Sequence, residues 1–356
     1  MSKKDAGLEI EGCAMDSSMV EGIIRDYSRR GYYPAAVCQV FNAHETLYRF
    51  AVGDAAPDSW FDLASVSKIV CATMIFSLMD EGRLAPEDPV LPYLDGAGEV
   101  TRKRLAGVTL RHLLTHTSGI VPWYPFYADG RPFFTVLERV LSTTPVEEGM
   151  AYSDLNFMLL GVIFSRVSGL SLREGLERYI RQGLGIKEMA YGPMDASLCV
   201  PSCFGNQIEK EMCRERGLHF DGWREDGVSV RGTCNDGNAF YYWHGASGHA
   251  GVFATADALV KLCQFYMNTA KPAFVRAMEE TVCGRGLAFD KRDVFPEGCG
   301  HSGFTGTSIY FSRSHNIGAV LLTNRLCRTS QEPANMQDVR RALHYALLDR
   351  EPPQVV

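Results

Sequence analysis

One Ser-x-x-Lys occurs in the chain, Ser65-Val66-Ser67-Lys68, where a loop runs into an apolar pattern of helical period. Residues i and i+3 share a helix face, so the Lys68 amine can approach the Ser65 hydroxyl, and the positive helix terminus favours negative charge developing there. That spacing suits a serine nucleophile with a lysine beside it. A hydroxyl is a poor nucleophile at neutral pH and needs a neighbouring base; a lysine serves if partial burial lowers its pKa. Four-residue patterns also arise by chance, and an N-capping Ser65 followed by a solvated Lys68 is the plain alternative.

Two further groups bear on the same chemistry. Tyr152-Ser153-Asp154 precedes an apolar helical stretch. Tyr152 can shuttle a proton to a leaving group, and Asp154 can hydrogen-bond the Lys68 ammonium and hold it; a capping Ser or Asp beside a packed Tyr is the competing reading. His301-Ser302-Gly303 opens a run of Gly, Thr and Phe. A glycine there lets a strand edge approach a substrate, and the next N–H, that of Phe304, can point at an oxyanion.

Other candidates read as structural. His112 and His116 stand four apart, but no Glu follows His112 as a zinc protease requires. His249 has similar standing. Gly245-Ala246-Ser247-Gly248 is only loosely a nucleophile elbow, because His249 stands where the second Gly belongs. Cys199, Cys203 and Cys213 have no His pair at finger spacing. Tyr124, Phe126, Tyr127 and the group Phe240-Tyr241-Tyr242-Trp243 fit either an acyl pocket or the core.

The elements that must position these groups follow from periodicity. Residues 18–29 carry apolar residues at helical spacing, and strand-like runs follow at 35–41 and 46–52 around Asn42-Ala43-His44. The helix after Ser65 stops at Gly82, a C-cap. Helical patterns recur at 110–115, 156–167, 172–181 and 256–268; strand-like runs return at 307–311 and 317–322; and a helix over 336–348 closes the chain. Strands at both ends with helices between them predict an α/β (α+β) fold, in which one antiparallel sheet is completed by sequence-distant halves. The expected division is a sheet domain from residues 1–82 and 246–356, with 83–245 inserted as a mainly helical domain. A substrate cleft belongs between the two.

Length and charge bound the rest. A chain of 356 residues buries a real core, and a net charge of −6 with no basic stripe excludes a nucleic-acid grip. The N-terminus has no apolar stretch behind its lysines, and the apolar run 69–79 is too short to span a bilayer, so no membrane partner is expected. Eleven dispersed cysteines without Cys-x-x-Cys suit reduced thiols, which makes a cytoplasmic location the expectation.

Taken together, Ser65-Val66-Ser67-Lys68, Tyr152-Ser153-Asp154 and His301-Ser302-Gly303 resemble, in order and spacing, the three signature elements of the serine β-lactamase, DD-peptidase (penicillin-binding protein) and family VIII carboxylesterase superfamily. Leu113-Leu114-Thr115-His116-Thr117-Ser118-Gly119, Gly248-His249-Ala250-Gly251 and the run from Gly300 to Thr307 look similar too. The resemblance implies the β-lactamase/transpeptidase-like fold, an acyl-enzyme on Ser65, an oxyanion hole from the N–H groups of Ser65 and Phe304, and no metal or organic cofactor. Two departures stand out. Asp154 replaces the Asn that class C β-lactamases carry, and His301 replaces the more usual Lys, as in some peptidases and esterases of the superfamily. The charge of an imidazole depends on pH, so a substrate carboxylate is less firmly held. The first expectation is therefore an esterase for short acyl esters. A β-lactamase or D-amino-acid-specific peptidase is the alternative, and a non-catalytic binding protein of the same fold the third. The partner is a small ester or lactam in the first two cases.

Overall fold

The computed structural model describes residues 17–328 and 334–353, so the N-terminal stretch read above for a leader lies outside the described residues. A five-stranded sheet forms the centre. β1 (Ala36–Phe41) and β2 (Thr46–Val52) are a hairpin, and β8 (Cys299–Ser302), β9 (Ser308–Ser312) and β10 (Ile317–Thr323) a meander. The order is β2-β1-β10-β9-β8, antiparallel throughout, with Ala36 opposite Thr323 and Phe41 opposite Gly318 where the two ends of the chain meet.

β1 is buried along its whole length because both faces are covered. Ala36, Cys38 and Val40 pack with Ala319 and Leu321 against Val20 and Ile24 of the helix Ser17–Arg29 and Met336, Val339 and Leu343 of the helix Met336–Ala346. Val37 and Phe41, with Val320 and Leu322, turn to the opposite face, whose core extends through the helices Ala256–Asn268, Ser67–Asp80 and Asp154–Ser168. Alternation along a strand thus sends one apolar run into two cores. The one polar residue of β1, Gln39, is buried and donates its amide to Asp257 at 2.6 Å.

The helix Ser67–Asp80 is buried on nearly every side, Lys68 included. It enters from β3 (Phe61–Asp62), the edge of a second small sheet ordered β3-β7-β4, with β7 at Val252–Ala254 and β4 at Met189–Tyr191. β5 (Cys203–Phe204) and β6 (Ser229–Val230) make a separate two-stranded pair. Because β3 pairs with β7, the turn before Ser65 lies beside the loop 247–251. Leu63 N–H donates to Val252 O at 3.0 Å, and the Ser67 hydroxyl accepts from Val252 N–H at 3.1 Å.

The helices and long strands that the periodicity predicts fall within a residue or two of their expected ends, while helices such as Phe133–Thr143, Gln207–Glu215 and Pro272–Glu279 were not anticipated. Residues 172–181 differ: a short α-helix, Leu172–Gly175, continues as wider turns over Leu176–Gln182. Strands β3 to β8, of two to four residues, show no alternation long enough to read. Among the described residues no single helix is long and apolar enough to cross a membrane, and every described cysteine is a free thiol, buried except for Cys283.

Gly248 is the closest contact between the 247–251 loop and the helix Asp154–Ser168, since a Cβ there would lie 2.0 Å from Phe157 O and 3.0 Å from Gly161 N. Both obstacles are backbone and cannot swing away. Gly248→Ala is expected to lower the free energy of unfolding by at least ~1–3 kcal/mol, as overpacking does. Urea denaturation measures it; an unchanged midpoint would mean that the two segments slide apart freely.

Candidate active site

Ser65 sits in a single tight turn, Ala64–Val66, that runs straight into the helix Ser67–Asp80. Ala64 holds φ +44, a left-handed conformation costly for a residue with a Cβ. Neighbouring side chains impose it. One Asp62 oxygen accepts Ala64 N–H at 2.9 Å and the other accepts Asn235 N–H at 2.6 Å. The hydroxyls of Thr305 and Thr307 donate to the carbonyls of Asp62 and Leu63, both at 2.9 Å. Burial pushes the Asp62 carboxyl up to about 6, so above that pH it is ionised and able to accept both amides.

Lys68 is completely buried, and its Nζ reaches Ser65 Oγ at 2.8 Å, Asp154 Oδ1 at 2.7 Å and His249 O at 3.5 Å. Three donors meet three acceptors. Burial alone presses the ammonium toward neutrality, but the Asp154 carboxylate and Tyr152 outweigh it, and the pKa is raised. The expectation that burial would free Lys68 as a base is thereby corrected: in the resting state it is an ammonium that donates to Ser65.

Tyr152 packs against that ammonium, 4.8 Å from its ring centroid, and against the Arg285 guanidinium at 5.1 Å. Its segment is fixed by the Leu-Leu-Thr-His stretch. His116, buried at φ +59, accepts Ser153 N–H at Nδ1 (3.0 Å), and its ring lies 4.5 Å from that of Tyr152. His112 accepts Thr109 N–H at 3.0 Å and caps its own helix. Both histidines thus accept backbone N–H groups. Asp154 starts the helix Asp154–Ser168, where the helix dipole favours a carboxylate.

His301 lies in β8 with Nδ1–H donating to Ser302 O at 3.0 Å and with no partner at Nε2. Burial, then the nearby Lys68 and Arg285 cations, drive its pKa well below 6.5. The ring is neutral near neutral pH, so the expected titration of His301 across the assay range does not occur. Gly303 touches the nucleophile turn: a Cβ there would meet Thr307 Oγ1 at 2.2 Å and Leu63 O at 2.5 Å. Phe304, partly exposed, stands beneath Arg325, which donates Nε–H to its carbonyl at 2.6 Å.

A cavity of about 450 Å³ brings Ser65, Tyr152, Asp154, His301, Ser302, Gly303 and Phe304 together. Lys68 stands behind its wall. None of the aromatic candidates at 124, 126, 127 and 240–243 lines this cavity; Trp123 does. Of the lining residues that were not anticipated, three bear most on the chemistry. Arg285 is 3% exposed and ion-paired at 3.4 Å to Asp290, yet its Nε and Nη1 have no acceptor. Asp236 and Glu209 supply carboxyl groups to its wall. Asp154, Asp236 and His249 each bring a ligand atom to within 4.8 Å of the others, but Lys68 already places a cation on Asp154 Oδ1, where a metal would sit.

Residues 20–343 match the family model described as Beta-lactamase. The chain is 26% identical over 345 residues to a protein titled "Putative D-alanyl-D-alanine carboxypeptidase" from Escherichia coli (strain K12), covering 82% of this chain and 79% of that one. Its fold is similar to that of "EstCE1, a hydrolase with promiscuous acyltransferase activity" (TM-score 0.68, 17% identity, 92% and 98% of the two chains). It is also similar to that of a beta-lactamase/D-alanine carboxypeptidase from Pseudomonas syringae (TM-score 0.70, 16% identity, 94% and 99%).

Asp154→Asn strips a fully buried ammonium of its charge partner, at an expected cost of about 3–5 kcal/mol. Burial then dominates and the Lys68 pKa falls below that of the unfolded chain, so the variant regains stability as pH rises and Lys68 loses its proton. The wild type, whose Lys68 pKa is raised, loses its own contribution only at higher pH. Urea unfolding of both proteins between pH 7 and 10 should show the gap closing; a gap constant with pH would place the neutral amine in the resting enzyme.

Proposed function

The chain belongs to the beta-lactamase family, and on that premise we propose that it is a serine hydrolase working through an acyl-enzyme on Ser65. The observation that carries this reading is the buried Lys68 ammonium joining Ser65 Oγ to Asp154 Oδ1. In the first step the Ser65 oxygen attacks the substrate carbonyl and gives its proton to the oxygen of Tyr152, packed against the Lys68 amine, as that phenol gives its own proton to the leaving group. The adjoining ammonium keeps the developing alkoxide from standing alone. The N–H groups of Ser65 and Phe304, at the helix entry and after Gly303, receive the oxyanion. The leaving group departs with the proton from Tyr152, which is left a phenol by the proton from Ser65, and water removes the acyl chain.

Substrate choice turns on Arg285. The expectation of short esters rested on His301 offering no fixed charge, and a neutral His301 supports that half of the reasoning. A buried guanidinium with two unpaired donors on the cavity wall supplies the missing cation, since such donors cost free energy until an acceptor arrives. We therefore favour substrates bearing a carboxylate, of the D-alanyl peptide or lactam kind. Short neutral esters are the second reading, supported by the carboxylate of Asp154 where an amide would greet a peptide bond.

A fluorophosphonate is expected to label Ser65 alone, and Lys68→Ala to be nearly as damaging as Ser65→Ala because the pair acts as a unit. Tyr152→Phe should cost ~10²–10⁴-fold in rate. Peptide mass mapping and turnover decide it; full activity of Tyr152→Phe would remove the phenol from the mechanism.

Arg285→Gln should lower kcat/KM for a D-alanyl peptide and a chromogenic cephalosporin by roughly 10–100-fold, the worth of a hydrogen bond to a charged group, and leave a chromogenic short-chain ester nearly untouched. His301, whose pKa burial holds well below 6.5, should add no pH dependence to the ratio of ester to cephalosporin turnover between pH 8 and 6, where Glu209 on the same cavity, raised to about 8, is the group that changes charge. Equal losses on all three substrates would show that Arg285 does not read substrate charge.

A further inference from the structure

Behind the nucleophile lies a second hydrogen-bonded set of serine, histidine and aspartate. Ser247 Oγ is 2.7 Å from His249 Nδ1, and His249 Nε2 is 2.9 Å from Asp236 Oδ1, which also accepts Ala239 N–H at 2.7 Å. With Asp236 ionised, His249 donates from Nε2 and its Nδ1 accepts the Ser247 hydroxyl proton, so the serine fixes the tautomer. Exposure runs opposite to that of a hydrolytic triad. Ser247 and His249 are 2% and 1% exposed, while Asp236 borders the cavity that holds Ser65. The set delivers a carboxylate to the substrate, not a hydroxyl.

Two links tie this carboxylate to the nucleophile. Asn235, its neighbour in sequence, is held by the same Asp62 that shapes the Ser65 turn, and the His249 carbonyl faces Lys68 Nζ. Burial would raise the Asp236 pKa, but His249, the Ala239 amide and Lys68 outweigh it and hold the group below its usual range. Lys68, an ammonium, cannot accept a proton. Of the other carboxyls on the cavity, Asp154 is bound to Lys68, Asp290 to Arg285 and Arg292, and Glu209 accepts Gly237 N–H and meets the Tyr127 hydroxyl, with burial and Asp236 raising its pKa to about 8.

Resting on the assignment of the acyl-enzyme to Ser65, we propose that Asp236, oriented by His249 and Ser247, is the base that activates water for deacylation. The water oxygen bonds to the acyl carbon as one of its protons passes to Asp236. The bond from that carbon to Ser65 Oγ then breaks, Oγ takes a proton from Lys68, and Lys68 recovers one from Asp236. The carboxylic acid leaves with the remaining proton of the water.

The test separates the two steps by stopped-flow with a chromogenic ester. Asp236→Asn should keep a burst of about one equivalent of chromophore per enzyme, at a rate within a few fold of wild type. Its steady phase should fall by ~10²–10⁴-fold, the usual contribution of a positioned base, with the acyl mass persisting on Ser65. Hydroxylamine, which attacks without a base, should restore turnover as the hydroxamate. Ser247→Ala, a milder change, should slow only the steady phase, by ~10–100-fold, as loss of an orienting partner does. An unchanged steady phase in Asp236→Asn would overturn the proposal, as would parallel loss of burst and steady phase in Ser247→Ala, or a fluorophosphonate adduct on Ser247. A wild type with neither burst nor Ser65 adduct would instead remove the acyl-enzyme reading itself.

Discussion

A single buried ammonium organises the site. Lys68 has no exposure, and an ion so placed is tolerable only if its protons find acceptors and its charge a partner. The three acceptors come from the turn at Ser65, the start of the helix Asp154–Ser168 and the loop at His249. Each is drawn from a different part of the chain. Desolvation of one side chain thus enforces the convergence that brings Ser65, Asp154 and the loop at His249 together.

The same cation shapes its surroundings. It helps keep His301 neutral and helps hold Asp236 ionised, so the positive charge available to a substrate passes to Arg285. The result is a cavity with fixed charges of both signs and a nucleophile between them. Such a layout discriminates by where a substrate carries its charge, because a wrongly placed carboxylate meets Asp154 or Asp236 rather than the two Arg285 donors that lack an acceptor.

Much of this could be read before any coordinates. The i, i+3 spacing of Ser65 and Lys68 dictates a shared helix face, and the long strands and helices announce themselves by period. Strands such as Phe61–Asp62 or Cys299–Ser302 are too short to carry a period, and they are what brings the 247–251 loop and His301 to the nucleophile. Arg285 stands between two glycines in a loop with no pattern around it, and its importance comes from burial, a property of the whole fold. The protonation of Lys68 was misjudged for a related reason: its sign depends on whether Asp154, 86 positions away in the chain, lies within hydrogen-bonding distance. The aromatic group at 240–243, left open between an acyl pocket and the core, does not line this cavity, since residue type alone does not separate a pocket wall from a core.

The pairing of β1 with β10 also bears on synthesis. Ala36 and Thr323 face each other across the sheet, so a strand made near the start must wait for one made near the end. At ~5–20 residues per second the delay on the ribosome is roughly 15–60 s, during which the apolar run Ala-Val-Cys-Gln-Val-Phe has one hairpin neighbour and an open edge. Such an edge invites pairing with other chains. The register that closes the sheet in the finished fold therefore leaves β1 unpaired on one side until most of the chain has been made.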